Sequence, residues 1–171
     1  MNTGLLVLRV LLASILLAHS FQKSMGWLQG PGLTASANIF ESLGHRPGRV
    51  MVRVAALCEL LAGLSLLFGF LTPLGAAVAA GTLLVAGASQ NARSGKLWNA
   101  LGGGEYALAL AAVAVALGFC GAGEWSADRV LFGPFPAYTG WLVLVVAVLA
   151  AIPPSVSSRR NLRHAGAHPA G

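Results

Sequence analysis

Charge is what this sequence has least of. Of 171 residues, 11 are Lys or Arg and five are Asp or Glu. A soluble domain carries about a quarter charged residues, so the 9% here is too little to coat a water-facing globule and argues against a soluble enzyme. Cysteine is equally scarce. Cys58 and Cys120 form no CxxC pair, which excludes a disulfide framework and a thioredoxin-like redox motif. A CxxCH haem signature and an HExxH metal signature are also missing. The run Gly102-Gly103-Gly104-Glu105 lacks a preceding strand and a following Lys-Ser/Thr, so it reads as close packing or a flexible lead into a helix, not as a phosphate loop. His164 and His168 stand four apart with no third ligand, and no metal site is expected there.

What is abundant is apolar: 56% of the chain. About 20 mostly apolar residues cross the hydrocarbon of a bilayer, and five segments approach this. They run from about Gly4 to Leu28, Val50 to Phe70, Leu74 to Gln90, Gly102 to Gly121 and Tyr138 to Ile152. The last is the shortest, and Pro153-Pro154 is expected to stop it. The first has Arg9 where a signal peptide has its apolar core and no basic region before it, so cleavage is not expected. The fold class is thus an all-α integral membrane bundle, with a four-helix core and a fifth C-terminal helix. Residues 1–152 form the membrane domain, and 153–171 a basic, disordered cytoplasmic tail. After the turn Gly30-Pro31-Gly32, the spacing of Leu33, Ala37, Phe40 and Leu43 or Gly44 predicts a short amphipathic helix at the interface or packed on the bundle end.

The net charge of +6 resides mostly in short loops, which points to membrane orientation rather than nucleic acid. With five spans, Arg46, Arg49, Arg53, Arg93, Lys96, Arg159, Arg160 and Arg163 fall on one side, against Arg129 and at most Arg9 on the other. The positive-inside bias then places the N-terminus outside and the C-terminus in the cytoplasm of a multi-pass protein of the inner or plasma membrane. Trp27, Trp98 and Tyr106 fall at one set of span ends, and Trp125, Tyr138 and Trp141 at the other, as amphipathic rings at both interfaces do.

The costly residues are the polar ones inside the spans: Arg9, His19, Lys23, Glu59, Gln90, Asn91 and Glu105. At about 1.5 Å per residue, His19 and Glu59 lie at similar depth near mid-membrane. Lys23 and Glu105 form a second tier beneath Gln90 and Asn91. His19 and Lys23 are four apart and share a face, while Arg9 lies within about 80° of it or snorkels to the outer surface. Intramembrane ionisable groups mark functional sites by default and also hold bundles together. Two readings therefore stand: a polar, proton-accessible pocket open to the cytoplasm, or ion pairs that pin helices.

The run Leu8-Arg9 through His19-Ser20 to Lys23 resembles the opening helix of the DoxX family. Gly32 and Phe40-Glu41-Ser42-Leu43-Gly44 look like that family's next segment, and Glu59-Leu-Leu-Ala-Gly63 to Gly69-Phe-Leu-Thr72-Pro73-Leu74 like its second helix and hairpin turn. Gly103-Gly104-Glu105-Tyr106 is similar to its fourth helix, giving a likeness over about residues 4–121. Ser20 stands where the family commonly has glycine, and the C-terminal helix extends past a four-helix core. The resemblance implies a small membrane protein, in some members tied to quinone-linked thiosulfate oxidation or to redox-stress complexes. It implies an oxidoreductase subunit rather than a self-contained enzyme, and it carries over Arg9, His19, Lys23, Glu59 and Glu105 as pocket candidates. Quinone is the one cofactor this suggests. The partners are the lipid bilayer, other membrane or redox-complex subunits and a second copy of the chain. The other class of function is a transporter, channel or assembly factor whose buried charges are structural.

Overall fold

A computed structural model describes residues 2–167. Every regular element among them is helical: α1 (Asn2–Ser24), α2 (Gly32–Ser42), α3 (Gly48–Phe68), α4 (Thr72–Ser94), α5 (Glu105–Cys120), α6 (Ala127–Leu131) and α7 (Thr139–Ala167), with one turn of 3₁₀ helix at Asn99–Leu101. α1, α3, α4 and α7 are long and apolar enough to cross a membrane. α5 is a shorter apolar helix of 16 residues. It nonetheless runs from one end of the bundle to the other. Its start is tied to the last turn of α4 through Asn91, and the loop after it reaches the N-terminal end of α1 through Glu124 and Asn2.

The bundle is arranged inside out relative to a soluble protein. Its interior holds Leu12, Leu16, Leu66, Leu83 and Leu117 among many small residues, including Ala13, Ala62, Ala76, Ala79, Ala80, Ala111, Ala114 and Ala147. Its exterior carries large apolar side chains, such as Val7, Leu11, Leu57, Leu61, Phe68, Leu142 and Leu149. Small residues let helix backbones approach closely where lipid removes any hydrophobic drive to associate. At the start of α5, a Cβ on Gly104 would collide with the backbone of Gly87 in α4, so the glycine run serves close packing.

The amphipathic segment forms as α2, which packs on α1 and α3 with Ala37 buried and Leu33, Phe40 and Leu43 half-buried. The six expected interfacial rings, Trp27, Trp98, Tyr106, Trp125, Tyr138 and Trp141, are all exposed.

The C-terminal segment departs from expectation. α7 does not stop at Ile152 and no disordered tail begins there, because the helix continues through Pro153 and Pro154 to Ala167. A proline inside a helix costs about 3 kcal/mol or more, but here both flanks are anchored. The first half packs against α4 and α5. Beyond the prolines, Ser158 Oγ donates to Leu43 O (2.6 Å) and Asn161 Nδ2 to Gly44 O (2.8 Å). The weakest span by sequence is thus the longest helix. Residues 168–171, with His168 and the end of the expected tail, lie outside the described residues.

Candidate functional site

The polar candidates separate into groups at opposite ends of the bundle. α1 and α3 run antiparallel, with Ser20 Oγ donating to Ala56 O (2.8 Å) near one end and Arg9 Nε to Leu66 O (3.0 Å) near the other. Close packing between them uses Gly63, where a Cβ would meet Leu17.

At the α2 end, Lys23 Nζ forms an ion pair with Glu59 Oε1. The Glu59 side chain is 5% exposed and that of Lys23 22%, so the carboxylate is internal and the ammonium reaches it from the rim. Equal depth predicts Glu59 with His19 and Lys23 with Glu105, but the structure joins Lys23 to Glu59 and turns Glu105 to Asn99 N. Side chains on a helix tilt toward its N-terminus. In antiparallel helices, Lys23 therefore leans into the bundle while Glu59 leans back toward the α3 start, and the two converge. His19 leans away and is half-buried, with no hydrogen bond among the described residues. Glu59 Oε2 is buried and has no hydrogen-bond partner among the described residues.

Glu105 and Asn91 serve the α4–α5 connection instead. Glu105 Oε2 accepts from Asn99 N (3.2 Å), and Asn91 Oδ1 accepts from Gly104 N (2.6 Å). Gln90 is half-buried beside them in sequence.

Arg9 belongs to neither group and does not snorkel. It is 1% exposed at the opposite end, 14 residues or about 21 Å along the helix from Lys23. Its guanidinium donates to three carbonyls, Leu66 O and Trp125 O at 3.0 Å and Ala122 O. Gly69 closes over it with φ +61, and a Cβ there would stand 2.6 Å from Nη1. Only glycine combines that left-handed backbone with so close a neighbour. Asp128, also buried, completes the cluster. Its carboxylate accepts from Leu71 N (2.6 Å) and Thr72 N (2.8 Å), and its own N–H donates to Gly69 O (2.8 Å). It thereby caps α4 from another part of the chain, where the helix dipole favours an anion.

Two groups escaped the sequence reading. Asp128 is the only aspartate, and the signal for it was Arg9 itself, since a guanidinium near the outer end needs acceptors and a counter-charge from that end. The other is His45, 8% exposed in the α2–α3 turn. Its Nε2 lies 2.8 Å from the buried Ser89 Oγ, which itself donates to Val85 O (2.7 Å), so the ring donates and Ser89 accepts. Burial pushes the His45 imidazole below its ordinary value. No sequence motif marks this pair.

Two measurements follow from these clusters. Arg9→Met takes the side-chain donor from Ala122 O and Trp125 O and leaves Asp128 without its neighbouring positive charge, and is expected to cost about 3–5 kcal/mol. Thermal unfolding in detergent should show this, with Arg9→Lys recovering only part because an ammonium cannot fork among acceptors. For His45 the unfolded ring takes up its proton near the ordinary value of 6.5, before the folded one does. Stability should therefore hold above that pH and be lost as pH falls from it through the lower folded value. A pH series of thermal midpoints should show that decline, and His45→Gln should flatten it.

The family model described as DoxX matches residues 4–91. That span takes in α1 to α3 and α4 as far as Asn91, including Arg9, His19, Lys23 and Glu59. The likeness seen at Gly103–Tyr106, with Glu105, lies beyond it. No curated protein and no solved structure matches the chain. With the match covering just over half of a chain whose long helices are apolar outside and small-residued within, this multi-pass integral membrane protein belongs to the DoxX family.

Proposed function

We propose that the chain is a membrane subunit of a quinone-linked oxidoreductase system concerned with sulfur oxidation or redox stress, and that Glu59 and Lys23 form its polar site. One observation carries this reading: Glu59 Oε2, a buried carboxylate oxygen with no partner, beside an Oε1 already held by Lys23. An orphaned buried acceptor is costly, and a ligand hydroxyl would satisfy it. The residues fit a quinone headgroup. The carboxylate would accept from a quinol hydroxyl, and the ammonium would donate to a quinone carbonyl. A bound quinone would take up electrons delivered by a partner subunit. Within this chain, Glu59 holds or releases a proton, and the partly exposed Lys23 links it to the bundle rim.

The direct Lys23–Glu59 contact also favours a second reading, a transporter, channel or assembly factor in which the pair only joins α1 to α3. Glu59→Gln separates the two. Full-length protein purified with native lipid should retain quinone detectable by extraction and chromatography, and Glu59→Gln should retain about tenfold less at an unchanged thermal midpoint. Absence of quinone from the unaltered protein, with a lowered midpoint in the variant, would leave the structural role alone. Proteins co-purifying with the chain would identify the subunit that supplies electrons.

The arginine-rich end of the bundle is assigned to the cytoplasm on its excess of basic residues. Reporter fusions should place the C-terminus inside and the N-terminus outside, and the reverse result would end that assignment.

A further inference from the structure

A second charged feature lies at the α2 end, apart from Glu59. Arg93 in the last turn of α4 and Arg159 and Arg163 on α7 line a cleft of about 480 Å³, with Ala92 and Leu162 as its other walls. Among the described residues no carboxylate lines it. Lys23–Glu59 is the one ion pair among the described residues, so none of the three guanidinium groups has an acidic partner there. Arg93 donates to Ser42 Oγ, which fixes it while leaving other N–H groups available.

Arg159 and Arg163 are four apart and share a face of α7, where like charges repel. The rotation of the helix is fixed, because Ser158 and Asn161, beside and between them, are docked on Leu43 O and Gly44 O. The fold thus holds three cations toward one cleft. Their height matters equally. From Thr139, about 20 residues at 1.5 Å each cover the roughly 30 Å hydrocarbon. Arg159 and Arg163 therefore emerge at the level of lipid phosphates, as does Arg93 one residue from the end of α4.

We propose that this cleft binds a phosphate group, presented by the headgroup of an anionic membrane phospholipid or by soluble phosphate. Guanidinium forks match phosphate oxygens in pairs, and basic pockets between membrane helices take anionic headgroups. Leu162 and Ala92 supply an apolar wall on which the start of a lipid chain can lie.

Native mass spectrometry of the full chain, exchanged into equal parts phosphatidylglycerol and phosphatidylcholine, tests this. The anionic lipid should be retained about tenfold over the zwitterionic one. Arg159→Gln with Arg163→Gln should bring that ratio to parity, and Arg93→Gln, from the other helix, should lower it independently. Arg49→Gln, an exposed arginine at the same end outside the cleft, should leave it unchanged, as should Glu59→Gln, which keeps this outcome separate from the quinone reading. Millimolar inorganic phosphate that displaces the lipid shows that bare phosphate suffices. Phosphate without effect assigns the site to the lipid headgroup. Equal retention of the two lipids with no thermal shift on adding phosphate overturns the proposal. An equal loss of preference in Arg49→Gln also overturns it, by showing a diffuse surface charge instead of a site.

Discussion

A guanidinium with no access to water has to find its acceptors within the chain, and in this protein that requirement ties one end of the bundle together. Arg9 draws in the last turn of α3, the loop after α5 and the approach to α6 through three backbone carbonyls. Those carbonyls lie at a helix end and in the loop that follows α5, where lipid could not satisfy them. Asp128 then adds the opposite charge and caps α4. One buried cation and one buried anion thus fix the relative positions of segments more than 110 residues apart in sequence. Removing either partner exposes the other to the full cost of an uncompensated charge.

The two ends of the bundle use charge differently. At the Arg9 end each hydrogen bond of Arg9 and Asp128 has a structural destination. At the α2 end charge is left open. Among the described residues, Glu59 keeps one oxygen unpartnered, and three arginines share a cleft without an acid among its walls. Because buried polar groups are ordinarily satisfied, the open end is where ligands would be expected. This contrast underlies both the assignment of a polar site to Glu59 and the proposal of a phosphate site beside α7.

Between these ends the bundle depends on small residues more than on large ones. α4 is central, packing on α3, α5 and α7, and most of its buried residues are Gly or Ala. The bulky side chains are turned outward, where acyl chains replace water as their surroundings. Such a core has little hydrophobic drive of its own in lipid, which makes the polar ties at both ends, and the docking of α7 on the α2–α3 turn, correspondingly more important.

The sequence by itself determined the solvent, the helical class, the family and the residues that carry cost, because apolar run length and charge scarcity are local quantities. Arg9, Lys23 and Glu59 stood out in it for the price of burying charge. Only the tertiary structure decided their partners. Depth along a helix is legible from residue count, but the lean of each side chain toward its helix N-terminus depends on which helices are antiparallel neighbours, and that lean joined Glu59 to Lys23 and not to His19. Asp128 and His45 were invisible for a related reason, since each matters through a contact with a distant segment. The prolines of α7 show the limit most clearly. Local propensity says stop, and hydrogen bonds from Ser158 and Asn161 to a turn more than 110 residues away carry the helix on.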